Sequence, residues 1–266
     1  MKEFQELLPQ VVKAVREVGA FVAARHTGSA LGGLDVDGVI AVFRMVDAPA
    51  SELLRERLSA LRPQARWAPD EIGTAVASTG EQWVCDAVDG AVHFLQGLPY
   101  WGVTVTLVAD GRPVLAVLDA PHLGFLYTAV EGGGAHLNGR LLSTSGKSLA
   151  AALACTSQPP YNREPEKAGA SLTAMLRHTL AVRNLGPTAL QVAQVGSGHV
   201  DVFWEYGEDA NNLLSGALIA RESGALVTDA EGKAWTPAST SFVAAPAALH
   251  ADVLRVLAAA PVHNAA

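Results

Sequence analysis

The sequence predicts a mixed chain in which an α+β first half, helices followed by an antiparallel sheet, is joined to an α/β second half. Three observations carry this expectation. Residues 4 to 25 repeat apolar side chains at three- and four-residue spacing, residues 100 to 137 fall into β-branched runs punctuated by turn residues, and from residue 149 onward strand-like and helix-like segments alternate. Of the 266 residues half are hydrophobic and 17% are charged, enough apolar surface for a sizeable core and too little charge for a disordered chain.

Phe4, Leu7, Leu8, Val11, Val12, Val15, Val18 and Phe21 form the apolar stripe of the first helix. Residues 27 to 38 hold four glycines without periodicity and read as a mobile loop. A second helix is expected from about Pro49 to Leu61, closed by Pro63; Asp47, just ahead of it, either caps the helix or does chemistry. Pro69-Asp70-Glu71 reads as a solvated turn. Strand 83 to 88 follows, then Tyr100 to Val108 and Val114 to Leu118, paired across Asp110-Gly111-Arg112-Pro113. Phe125 to Val130 and Gly134 to Leu137 extend the sheet, and Asn138-Gly139 is a tight turn.

The second half is expected to run as strand Leu149 to Thr156, helix Ser171 to Leu180, strand Ala181 to Arg183 and a helix from Pro187 to Val195. Strand Val200 to Tyr206, helix 211 to 223 and strand 225 to 228 come next. The Ala-rich tail 255 to 266 is expected to fray. Two lobes follow: 1–147, carrying the acidic turn described below, and 148–266, completing the site.

Composition narrows the function classes. A net charge of −7, with no Lys/Arg cluster to neutralise successive phosphates, argues against a nucleic-acid partner. Two cysteines, Cys85 and Cys155, both in apolar runs, are too few for a disulfide scaffold and read as buried small hydrophobes in a reducing compartment. The start is acidic and amphipathic, and no stretch approaches eighteen apolar residues. The expectation is a soluble cytoplasmic protein with no membrane partner.

The chemistry-bearing stretch is Trp83 to Phe94, where an apolar strand runs into Asp86-Ala87-Val88-Asp89-Gly90. Two carboxylates at one strand end, beside free N–H groups if a helix follows, would seat a divalent cation and an anion; the same pattern also occurs in ordinary turns. Hard oxygens suit Mg²⁺, which shares its shell with water and phosphate.

Trp83, Asp86, Val88, Asp89, Gly90 and Phe94 resemble the inositol monophosphatase signature Trp-x-x-Asp-Pro-(Ile/Leu)-Asp-Gly-Thr-x-Asn-Phe. The resemblance extends through residues 98 to 145, Asp201 to Gly207, Gly216-Ala217 and Glu222 to Asp229, and so covers nearly the whole chain. It implies a layered αβαβα sandwich, usually a homodimer, that hydrolyses a phosphate monoester of a small inositol, sugar or nucleotide with Mg²⁺; Mn²⁺ or Zn²⁺ are alternatives. It further implies Asp70 as ligand of a first metal, Asp86 as a bridge, the Val88 carbonyl on the first metal and Asp89 on the second. Gly90 and Ala91 N–H groups would hold phosphate, Asp47 would act on the attacking water, Glu205 would contact substrate, and Asn212 would offer a neutral oxygen.

Several positions depart from the family pattern. Ala91 stands for the Thr that works with Asp47, Ala87 for the Pro, His93 for the Asn, and Asn211-Asn212 for the Trp-Asp pair that completes the second metal site. Losing a water-activating group commonly costs ~10²–10⁴ in rate. His93, at the edge of an acidic pocket, is expected to be held toward imidazolium as a general acid, to ligate a softer metal, or to pack on the helix after Gly90. Glu208 and Asp209 are either replacement acids or a solvated loop, and Glu205, at a strand end, is expected to be exposed. His136 reads as structural and His122 as a surface turn. Three readings follow: a divergent phosphatase; an enzyme using His93, Asp47, Asp70, Asp86 and Asp89 for non-hydrolytic, metal-free acid/base chemistry; and a non-catalytic binding or regulatory homologue.

Overall fold

The computed structural model describes residues 2–26, 32–69, 76–157 and 164–260. Helices α1 (Lys2–Ala23) and α2 (Val36–Leu61) precede a seven-stranded sheet of β1 (Arg66–Trp67), β2 (Glu81–Asp89), β3 (Gly102–Ala109), β4 (Arg112–Ala120), β5 (Phe125–Val130), β6 (Gly134–Leu137) and β7 (Arg140–Leu141) in sequential order. The short helix α3 (Ala91–Leu95) interrupts it after β2. All pairings are antiparallel except β1 with β2.

The second half supplies β8 (Leu153–Thr156), α4 (Pro165–His178), β9 (Ala181–Arg183), α5 (Thr188–Gly196), β10 (Val202–Tyr206), α6 (Ala210–Glu222), β11 (Ala225–Thr228), β12 (Ser241–Pro246) and α7 (Ala247–Ala258). Its five strands are ordered β11-β12-β10-β8-β9. β8 runs parallel to β9 and β10, whereas β12 runs antiparallel to β10 and β11.

Side-chain alternation assembles these elements into five layers. On β4, Leu115 and Val117 face α1 and α2, while Ala116, Leu118 and Ala120 face α5 and α6. On β10, Phe203 joins the core under α5 and α6, whereas Val202, Trp204 and Tyr206 join the one under α4 and α7. The order is therefore α1/α2, seven-stranded sheet, α5/α6, five-stranded sheet, α4/α7, the expected αβαβα sandwich. Among the described residues no helix is long and apolar enough to cross a membrane.

Turn chemistry fixes the hairpins as expected. Asp110 and Gly111, and Asn138 and Gly139, all take positive φ, the two-residue geometry that matches strand twist. The larger correction is α2. It begins at Val36, capped by Asp35, whose Oδ1 accepts the Gly38 N–H at 2.9 Å, so the end of the presumed loop is helix. Pro49 lies inside this helix and does not start it. Asp47 is thus a mid-helix residue and not a cap. Thr27 to Leu31, the first part of that glycine-rich stretch, lie outside the described residues. β12 and most of α7 had no sequence-based expectation, and within the tail expected to fray residues 255–258 are helical, with Val256 and Leu257 buried.

Candidate active site

The end of β2 is irregular where the acids stand. Pairing with β3 runs in register to Asp86 opposite Thr104, then resumes at Asp89 opposite Gly102, so three steps on β2 match two on β3. The extra residue turns the strand. Asp86 closes the irregularity on itself, its Oδ1 accepting the Val88 N–H at 2.7 Å.

Gly90 then takes φ 97° and ψ 37° and leads into α3. No other residue fits there: a Cβ would stand 2.9 Å from the Tyr100 carbonyl oxygen and 3.2 Å from Pro187 Cγ. The same contact brings the start of α5 against the acidic turn. Gly186, one residue earlier, packs on Tyr100 in turn, with its own Cβ position 2.7 Å from Tyr100 Cβ.

Electrostatics distinguish this turn from an ordinary one. Burial raises the Asp86 carboxyl well above its usual range, the Asp89 charge raises it further, the Val88 N–H opposes, and Asp47 adds another push. Asp47 reaches the turn from α2; burial raises it too, against one long hydrogen bond from Ser51 Oγ at 3.4 Å. Two expected residues, Asp47 and Asp89, therefore both act on a third, Asp86. Asp70 and its neighbour Glu71 lie outside the described residues.

His93 departs from expectation. It is half-buried on α3 with its ring edge-on to Tyr100, centroids 6.2 Å apart, and burial lowers its pKa, favouring neutral imidazole where imidazolium was expected. Of the other histidines, His122 is exposed as expected and packs on Trp101 and His26, and His136 lies within β6, paired with Thr128.

Glu205 is a second correction. It is fully buried, not exposed, because β10 is an interior strand with β12 on one side and β8 on the other. Its Oε2 accepts from Thr188 Oγ1 at 3.3 Å. Burial, followed by the charge and hydrogen bond of Asp209, raises its carboxyl well above the usual range. Asp209 is buried at the start of α6 and accepts from Asn212 Nδ2 at 2.7 Å, whereas Glu208 is exposed. Sequence reasoning missed Thr188. Its only signal was a hydroxyl directly after Pro187, at the start of the helix that meets Gly90.

The donor set suits a hard cation. Among the described residues no three His, Cys, Asp or Glu side chains close on one point. Asp86, Asp89 and the Val88 carbonyl nonetheless offer the one or two carboxylates with which Mg²⁺ is usually held, water and phosphate completing the shell. The mutual repulsion that raises Asp86 is the kind of strain a cation relieves.

The profile of the Inositol monophosphatase family matches residues 4–261. The chain belongs to that family. It is 33% identical over 231 residues to the inositol-1-monophosphatase of Rhizobium meliloti, covering 85% of this chain and 86% of that one. It is 28% identical over 229 residues to the Nus factor SuhB of Escherichia coli, covering 85% and 86%. The inositol monophosphatase of Anabaena superposes with a TM-score of 0.84 over 98% of both chains at 23% identity, which bears on the fold. Family members generally use Mg²⁺ and act on small phosphorylated metabolites.

Proposed function

We propose that this chain is a Mg²⁺-dependent phosphatase of a small inositol, sugar or nucleotide monoester, working at the Asp86–Gly90 turn with a weakened second cation position. The observation that carries the reading is the convergence of Asp47, Asp86 and Asp89 at one strand end, where burial raises the Asp47 and Asp86 carboxyls and the Asp89 charge raises Asp86 further. When bound there, Mg²⁺ would neutralise phosphate oxygens and lower the pKa of an attacking water.

The chain's own residues divide the remaining work. Asp86 and Asp89, with the Val88 carbonyl and Asp70, would hold the cation. The Gly90 and Ala91 N–H groups would receive a phosphate oxygen, Gly90 supplying the only backbone conformation that fits. Asp47, raised by burial, would accept the proton of the attacking water, unaided by a hydroxyl at Ala91. Asn212, already engaged with Asp209, offers no charge where the family carries an acid. Glu205, enclosed by Thr188 and Asp209, would shape the substrate wall.

A specific observation favours a second reading. Carboxyls raised at Asp47 and Asp86, together with an imidazole lowered at His93 on the helix that follows the turn, are groups suited to proton transfer near neutrality, which non-hydrolytic acid/base chemistry would use. The kinship with a protein named a Nus factor keeps a binding role as the third. Calorimetric titration of Mg²⁺ and Mn²⁺, with Asp86→Asn as control and phosphate release from a panel of monoesters, separates them. Saturable binding lost in the variant, with turnover that rises in Ala91→Thr/Asn212→Asp, supports the phosphatase. Absence of binding at millimolar metal moves the function to the acid/base or binding reading.

A further inference from the structure

The acidic turn and Glu205 belong to different sheets, and one short loop, residues 184–187 between β9 and α5, meets both. On one side Pro187 closes on Gly90 and Gly186 on Tyr100. On the other, Thr188, the first residue of α5, donates to Glu205 Oε2 at 3.3 Å. The placing of this loop therefore sets how far the substrate wall stands from the Gly90 and Ala91 N–H groups.

The loop has a conformation that needs holding. Gly186 takes φ 123°, and a Cβ there would stand 2.7 Å from Tyr100 Cβ, so the close approach depends on its having none. Gln191, fully buried in the first turn of α5, grips the loop from behind. Its Oε1 accepts the Leu185 N–H at 3.0 Å, and its Nε2 donates to the Gly186 carbonyl at 2.8 Å. A primary amide carries acceptor and donor side by side, so one side chain fixes two successive residues. An apolar residue would fill this interior position without the cost of burying an amide, and what the amide adds is the hold on the loop.

We propose that Gln191 is a positioning residue of the site, fixing Leu185 and Gly186 so that the Thr188–Glu205 wall is held against the phosphate-binding turn. It acts through Pro187 and Thr188, not by contact with the phosphate. A wall placed in this way contributes to binding the alcohol part of a monoester and leaves the hold on the phosphate itself to Gly90 and Ala91.

Gln191 has this role only if the turn binds phosphate as proposed above, so the test separates binding from turnover. With Mg²⁺ present, calorimetry on the full chain compares inorganic phosphate, which the turn alone can hold, with 3,4-dihydroxybutylphosphonate, whose hydroxyls extend from the phosphorus and whose carbon–phosphorus bond is not hydrolysed. Gln191→Met, close in volume, is expected to weaken the phosphonate about tenfold and to leave phosphate within about twofold. Gly186→Ala, which drives the loop away from Tyr100, is expected to show the same selective loss. Gln191→Glu gives a readout that a merely structural role would not move. A protonated carboxyl accepts from Leu185 and donates to Gly186 as the amide does, whereas a carboxylate cannot donate, and burial raises the pKa at which one becomes the other. Measured as a ratio to wild type at each pH, this variant is expected to match wild type near about pH 5.5 and Gln191→Met near about pH 8.5. No phosphonate binding to wild type, equal weakening of both probes, unchanged affinity for both, or a Gln191→Glu ratio that ignores pH would each overturn the role. The selective pattern without phosphate release from any monoester would support the role and discard hydrolysis.

Discussion

Asp86 at the end of β2 and Asp201 just ahead of β10 are both acids set into the protein, and the fold treats them in opposite ways. Asp201 is fully buried and accepts from Ser145 Oγ, from Lys147 Nζ at 2.9 Å and from the Leu153 N–H at 2.7 Å. Its charge is answered from within, and it ties the connection between the two sheets to β8. Asp86 has one backbone N–H and two acidic neighbours. An acid supplied with donors serves the fold, whereas an acid crowded by acids is held ready for something from outside.

This contrast is broken most forcibly at Asp201. Asp201→Ala removes three hydrogen bonds, leaves the Leu153 N–H without its acceptor and is expected to cost about 3–5 kcal/mol in urea unfolding. A loss below 1 kcal/mol would mean that the acid is not structural. Gly90→Ala comes next, at about 2–3 kcal/mol, because it forces a side chain onto a left-handed backbone and against the Tyr100 carbonyl. Its metal affinity should fall as well, which a variant distant from the turn would not show.

A smaller effect concerns Asp119, on β4 against Gly19 of α1, whose carboxyl burial pushes up to about 6 against an opposing pull from Arg16. A folded-state pKa above the unfolded value means that the folded chain binds more protons between about pH 4 and 6. Stability from this group is therefore greatest at low pH and falls as pH rises through 6. Asp119→Asn should gain up to about 2 kcal/mol over wild type at pH 7, and the gap should close near pH 4. A gap independent of pH would rule out titration as its cause. The smallest effect separates the two cysteines: burial pushes Cys155 up to about 12, so iodoacetamide at pH 8 should label half-buried Cys85 and spare Cys155 in mass spectra of the folded protein.

What was legible in the sequence was whatever local chemistry decides. Asp110-Gly111 and Asn138-Gly139 announce hairpins because positive φ at two successive residues narrows the choice of residues, and Asp-x-x-Asp-Gly announces a turned strand end because its glycine alone takes the positive φ there. Long-range packing was not legible. Pro49 resembles a helix start, yet α2 carries it internally because Ala50, Leu54 and Leu58 anchor the helix beyond it. Glu205 resembles an exposed strand end until β12 and β8 enclose β10, and its partners Thr188 and Asp209 come from separate elements. His93 had an acidic stretch of sequence around it, but in the fold burial governs its charge and its ring meets Tyr100.

The central claim, that burial and acidic neighbours strain Asp86 at the β2 turn, is tested most directly by equilibrium unfolding of metal-stripped wild type and Asp86→Asn, each with and without Mg²⁺. Relief of repulsion predicts that the metal-free variant is as stable as wild type or up to about 1 kcal/mol more so, and that only wild type gains stability from Mg²⁺. A metal-free variant less stable than wild type, with both proteins gaining equally from Mg²⁺, would contradict the account and place Asp86 with Asp201 among the structural acids.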